Sequence, residues 1–183
     1  MRTSLFTTLA ALLCALTAGA DVAPMKDFDV TQVNGKWYLV GFSTNSQWFV
    51  DHRDGMKMGV TMMVPTEEGD LNLSYATLNA DGTCWRTSHL ANKTETPGRF
   101  TFHSQAWNND NDMRFVDVQY AEYALDYNIK TKAGVSEVLV KLYSRTTEVS
   151  AVVQQKFRQL ALDGGVLPDN TVILPKNGEC PDV

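Results

Sequence analysis

The chain has 183 residues, 44% of them hydrophobic and 20% charged, with a formal net charge of −5. This length suits one domain with a sizeable core, and the composition excludes a disordered chain. No basic block occurs, so nucleic acid and an anionic membrane surface are both poor partners.

Residues 1–20 read as a secretory signal. Arg2 supplies a short positive region, Leu5 to Leu16 a mostly apolar stretch, and Ala18-Gly19-Ala20 the small residues of a cleavage site. The apolar run is too short to cross a bilayer comfortably. The expected mature domain is 21–183, with 15 basic residues against 21 acidic. It keeps two cysteines, Cys84 and Cys180, and an even count in an exported, extracellular chain predicts a disulfide. Two N-glycosylation sequons, at Asn72 and Asn92, fit the same compartment. Asn72 alternates with Leu71, Leu73 and Tyr75, so it should point outward. There is no CxxC or HxxxH, and His52, His89 and His103 are the only histidines. No metal or cofactor is expected.

Short strands separated by turn clusters follow. The first is expected over Gly35–Thr44, then a loop carrying Trp48 and Phe49. A second spans about Met56–Val64, a third Leu71–Leu78, and Asn79-Ala80-Asp81-Gly82 forms a turn. Further strands are expected over Thr83–Ala91 and Arg99–Trp107. The run Asn108–Asp112 should not be strand. Met113–Tyr120, Tyr123–Ile129 and Glu137–Ser144 complete eight antiparallel strands. Such a meander closes most naturally into an up-and-down barrel, which removes exposed edges.

The period then changes. Val149, Val152, Val153, Phe157 and Leu160 recur at helical spacing, with Thr146 or Thr147 as a cap and Gly164-Gly165 as the stop. One apolar face implies a helix packed outside the barrel, and Thr171–Leu174 makes a short last strand. Phe100 with Phe102, and Met113 with Phe115, share faces of their strands. Periodicity leaves open whether such residues fill a core or line a pocket.

Gly35-Lys36-Trp37-Tyr38 resembles the Gly-x-Trp signature that opens the lipocalin barrel. Gln119-Tyr120-Ala121-Glu122-Tyr123-Ala124-Leu125 resembles the second lipocalin motif, although Val118 and Gln119 replace its usual Thr-Asp pair. Leu142-Tyr143-Ser144-Arg145-Thr146 matches the third. The resemblance covers essentially the whole mature chain. It implies an all-β, eight-stranded lipocalin barrel with one C-terminal helix. Gly35, Trp37 and Arg145 are then structural, with Arg145 lying across the Trp37 ring at the closed end.

Within the family the chain resembles the lipocalin-type prostaglandin D synthases, through Thr44-Asn45-Ser46 with Trp48, Asn72-Leu73-Ser74 and the ending Leu174-Pro175 to Cys180. Cys84 and Cys180 match that group's disulfide. Its catalytic cysteine falls on Gly59, and two supporting serines fall on Leu39 and Tyr75. A thiolate is the nucleophile of that isomerisation, and glycine offers none. The resemblance therefore implies a monomeric, non-enzymatic carrier of a small lipophilic ligand such as a retinoid, fatty acid or prostanoid. A prostaglandin isomerase working without the thiol, and a barrel acting through a receptor or other protein partner, remain open. By family position, Trp48 lies at the mouth, and Met58, Thr61, Leu73, Tyr75, Phe102 and Tyr143 in the wall. His89 takes an apolar wall position. Lys141 alternates with Tyr143 and, if inward, either pairs with a ligand carboxylate or sends its head to water.

Overall fold

The structure is a computed structural model and describes residues 22–181; the signal expected over 1–20 lies outside them. Eight strands run in sequence order: β1 (Gly35–Thr44), β2 (Gly59–Pro65), β3 (Leu71–Leu78), β4 (Cys84–Lys93), β5 (Arg99–Ser104), β6 (Asn109–Gln119), β7 (Tyr123–Lys132) and β8 (Val135–Ser144). Each pairs antiparallel with the next, and β1 pairs with both β8 and β2, so the sheet closes on itself. The closing register sets Trp37 opposite Thr61 and Leu39 opposite Gly59. A ninth strand, β9 (Thr171–Ile173), pairs with the upper half of β1, from Gly41 to Ser43.

One end of the barrel is plugged. Trp37, Met63, Leu71, Met113 and Phe115 are fully buried there. Phe28, in the segment entering β1, stacks on Phe115 at 4.9 Å and meets the edge of Phe100 at 6.0 Å. Burying these rings is the main drive for closing the bottom, at about 25 cal/mol per Å² of apolar area. Arg145 completes the plug from outside. Its guanidinium lies 3.7 Å from the Trp37 ring centroid and donates to the carbonyls of Lys36, Asn34 and Tyr120.

Helix α2 (Ala151–Asp163) packs outside the barrel against β8, β1, β7 and β9. Its contact with β1 is close: a Cβ on Gly41 would come within 2.8 Å of the Phe157 ring. The cap is Ser150, whose side chain accepts from Val153 N, and not Thr146 or Thr147 as expected. Those threonines belong to a turn in which Thr146 Oγ1 donates to the Glu148 carbonyl. The buried stripe is Val153, Phe157 and Ala161, whereas Val152 is 65% exposed. That stripe repeats every four residues from Val153, and Val152, one position off it, turns away from the sheet.

Other boundaries also move. The loop holding Trp48 is partly helical, as α1 (Gln47–His52), with Ser46 accepting from Phe49 N. Residues 56–58 are not strand, because Met58 N donates to the Pro175 carbonyl of the C-terminal tail and not to a sheet neighbour. The Asn/Asp run expected to be irregular is strand from Asn109 onward, and β5 ends early at Ser104. Polar residues usually avoid strands because their side chains compete for the backbone. Here those side chains find other partners. Asn109 and Asn111 bond each other inside the barrel, Asp110 pairs with His103, and Asp112 accepts from Arg99 and Arg114.

The predicted Cys84–Cys180 disulfide is present, with a Cα–Cα distance of 5.9 Å. It ties the start of β4 to a tail also held by an Asn177 amide donating to the Leu78 carbonyl. Asn72 and Asn92 both face solvent.

Candidate ligand-binding site

The other end of the barrel is open. Strand alternation delivers a row of inward side chains from each wall, and below the mouth they leave a cavity of about 620 Å³. That volume lies within the range of small-molecule sites. Its apolar walls come from Leu39 and Phe42 on β1, Leu73 and Tyr75 on β3, Phe102 on β5 and Leu139 on β8. Of the wall residues expected from sequence, Thr61, Leu73, Tyr75, His89, Phe102 and Tyr143 line the cavity, and Trp48 stands at its mouth. Met58 does not line it. Met58 is buried in the core just before β2, where the tail covers it.

The mouth carries two tryptophans besides Trp48. Trp107, in the turn between β5 and β6, meets the Trp48 ring at 5.0 Å nearly edge-on and lies 6.5 Å from Trp85 on β4. Trp48 also stacks on His52 at 4.6 Å. All three indoles remain more than one-third exposed, giving a broad aromatic rim. Trp85 has the same strand parity as His89, so alternation could have found it. No periodic signal marks Trp107, which sits in a turn.

Tyr75 closes the space above Gly59. A Cβ on Gly59 would lie 2.4 Å from the Tyr75 hydroxyl and 2.6 Å from the Ala76 carbonyl. Burial pushes the Tyr75 phenol up to about 12, against a hydrogen bond with Thr77 that pulls it down. This hydroxyl stays protonated at neutral pH. His89 stacks on Phe102 at 4.8 Å. Burial first, then the Lys141 and Lys130 ammoniums, pull His89 below its usual value and favour the neutral ring.

Lys141 faces inward, but its head does not reach water. Its Nζ lies 2.7 Å from Asp126 Oδ2, with the Asp126 side chain fully buried. The two residues are directly opposed across β7 and β8. Burial alone would depress the lysine, but the adjacent carboxylate outweighs that, so Lys141 is held above its ordinary value. Snorkelling fails because Lys141 sits deep in the wall, and an unshared buried carboxylate would cost more than a stretched-out lysine gains. The sequence reading missed Asp126.

Further up the same wall runs a line of polar side chains. Asn128 Nδ2 donates to Asn111 Oδ1 at 3.0 Å, and Asn111 Nδ2 donates to Asn109 Oδ1 at 2.8 Å. Ser104 and Lys130 flank them at the cavity surface. Among the described residues no group of three or more His, Cys, Asp and Glu could hold a metal ion.

A closed barrel with a plugged base, an aromatic mouth and a largely apolar cavity is the architecture of an intracavity small-molecule binder. The sequence model of the Lipocalin / cytosolic fatty-acid binding protein family matches residues 34–178, and the chain belongs to that family. It is 36% identical over 168 residues to a lipocalin of Rhinella marina, covering 92% of this chain and 91% of that one. A prostaglandin-H2 D-isomerase of Felis catus is 34% identical, over 89% of this chain and 85% of its own. An extracellular fatty acid-binding protein of Coturnix japonica is 31% identical, over 98% and 97%. Among solved structures, that of the siderocalin Ex-FABP, which functions through dual ligand specificities, superposes with a TM-score of 0.66 at 26% identity. It covers 81% of this chain and 99% of that one.

Proposed function

We propose that this protein is a secreted, monomeric carrier that holds a small hydrophobic molecule, such as a retinoid, fatty acid or prostanoid, in its barrel, and that it is not an enzyme. The observation that carries this reading is the cavity of about 620 Å³ with its apolar walls and tryptophan rim. Burial of a long apolar ligand there supplies the driving force, at about 25 cal/mol per Å² before the costs of association. Secretion is supported by the disulfide and by similarity to extracellular fatty acid-binding proteins. In this reading Asn72 and Asn92 carry glycans, and residues 1–20 are removed on export.

A second reading is favoured by the similarity to prostaglandin-H2 D-isomerases. The thiol chemistry of that group needs a cysteine where this chain has Gly59, and Tyr75 fills the adjoining space. The two cysteines of the described chain are consumed in the disulfide. A scaffold shared with an enzyme is no evidence of its activity when the reacting group is missing.

The test is direct. Purified secreted protein is extracted for bound lipid, then titrated with retinol and long-chain acids while tryptophan emission is followed. Saturable binding at micromolar or tighter affinity is expected, with part of the quenching lost in Trp48→Phe. A panel with no saturable binding overturns the carrier reading. Prostaglandin D2 formation from prostaglandin H2 above the spontaneous rate, with thiol present, overturns the non-enzymatic one.

A further inference from the structure

Resting on the carrier reading, we propose that Ser104, Asn128 and Lys130 form a headgroup subsite that selects long-chain carboxylates bearing a hydroxyl close to the carboxyl group. Three observations converge on it. The first is a mismatch of buried polar atoms. Asn128 is 1% exposed and Ser104 3%, both line the cavity, and among the described residues neither Asn128 Oδ1 nor Ser104 Oγ has a hydrogen-bond partner. Leaving such atoms unpaired costs free energy, which a polar group reaching them from the cavity side would recover.

The second is the direction of the amide chain. Asn128 and Asn111 each donate toward the mouth side of β6, and this orients the Asn128 oxygen as a fixed acceptor. A bare carboxylate has no proton to give it. A hydroxyl does. Ser104 can donate to a ligand oxygen as well as accept.

The third is the charge. Of the three lysines that line the cavity, Lys57 stands exposed at the mouth and Lys141 is already held by Asp126. Lys130 has no ion pair among the described residues, and burial depresses its ammonium. Its Nζ lies 5.9 Å from the Trp107 ring centroid, under the mouth. Glu137 faces Lys130 across β7 and β8 without closing to an ion pair, so Lys130 is the wall cation below the mouth that an incoming anion can pair with, recovering its lost solvation. Lys130 and Asn128 are two residues apart on one face of β7, about 7 Å along the strand. With the carboxylate at Lys130 and the alkyl chain pointing down the barrel, a hydroxyl on the second or third carbon falls toward Asn128. The tail then runs along Phe102, Leu73 and Leu39.

The test compares tetradecanoate, 3-hydroxytetradecanoate and the methyl ester of the latter, titrated against the secreted protein by tryptophan fluorescence. The wild type should bind the hydroxy acid about fivefold more tightly than the plain acid, and the ester about tenfold more weakly than its acid. Lys130→Met should bring the hydroxy acid to the level of its ester and leave the plain acid weaker still. Asn128→Leu should remove the hydroxyl preference while the plain acid still binds. Equal wild-type affinity for the two acids overturns the proposal, as does a preference that survives in Asn128→Leu. Should that variant fail to fold, the wild-type comparison and Lys130→Met decide the question. Binding of all three probes without discrimination removes this subsite but leaves the carrier standing. Absence of binding by any of them or by retinol removes both.

Discussion

The Asp126 carboxylate and the Lys141 ammonium, 2.7 Å apart on facing positions of β7 and β8, form a buried ion pair in the barrel wall. Each makes the other tolerable, so removing one alone is the damaging change. Asp126→Asn should lose about 3–5 kcal/mol in urea unfolding, because Lys141 is left charged and dry. The double variant Asp126→Leu with Lys141→Met should recover most of that loss. A single variant as stable as the wild type would show that the pair does not form in solution.

Gly59 and Tyr75 make a second dependent pair. Any side chain at Gly59 meets the Tyr75 hydroxyl, at 2.4 Å for the first carbon alone. Gly59→Cys should therefore destabilise the fold by about 1–3 kcal/mol and react slowly with thiol reagents. Adding Tyr75→Ser should relieve the clash and expose the thiol, although the Ala76 carbonyl remains close. Thiol labelling at equal rates in the single and double variants would contradict this geometry. If the pocket regains any isomerase chemistry, it should be in the double variant, with Leu39→Ser improving it by hydrogen bonding to the thiolate.

His89 provides a pH dependence with a defined sign. Its folded pKa lies below the ordinary value because burial, and then Lys141 and Lys130, disfavour the cation. Such a group adds stability that is present above the unfolded pKa and is lost as pH falls through the folded one. Protonation also brings a positive charge into the cavity, and a bound carboxylate would offset that cost. Carboxylate affinity relative to retinol should rise as pH falls through this window, and His89→Gln should flatten the change. An unaltered ratio in the wild type would show that His89 does not face the ligand.

The Cys84–Cys180 bridge closes a loop with a sequence separation of 96. The chain-entropy model assigns such a loop about 4–5 kcal/mol. Replacing both cysteines by serine should lower stability by up to that amount, measured by urea denaturation. The tail should also become protease-sensitive near Lys176, since what remains is its ion pair with Glu148 and separate polar contacts to Met58, Lys36, Tyr38, Leu78 and Arg86. Tail cleavage as slow as in the oxidised protein would refute this.

Much of the fold is written locally. The alternation in Leu71–Leu78, the Asn79–Gly82 turn and the change to helical spacing after Val149 each reflect the geometry of a few neighbouring residues, and the structure bears them out. The even cysteine pair needed only a count. The Trp37–Arg145 contact was legible because both residues lie in recognisable family motifs. What failed was locally ambiguous. Asn109–Asp112 reads as a loop by composition, and becomes strand only because His103, Arg99 and Asn128 arrive from other strands to bond its side chains. Family position puts Met58 in the wall, but its backbone is held by a tail carbonyl, Pro175, more than a hundred residues downstream. The sequence by itself determined a closed barrel with an outer helix and a cross-linked tail, since periodicity and motif order are properties of the chain. Only the tertiary structure decided that the upper barrel is hollow, that Lys141 is already spent on Asp126, and that Lys130 and Asn128 face the space that remains. Those facts depend on which side chains meet across the barrel, and partners brought together by closure leave no mark in local spacing.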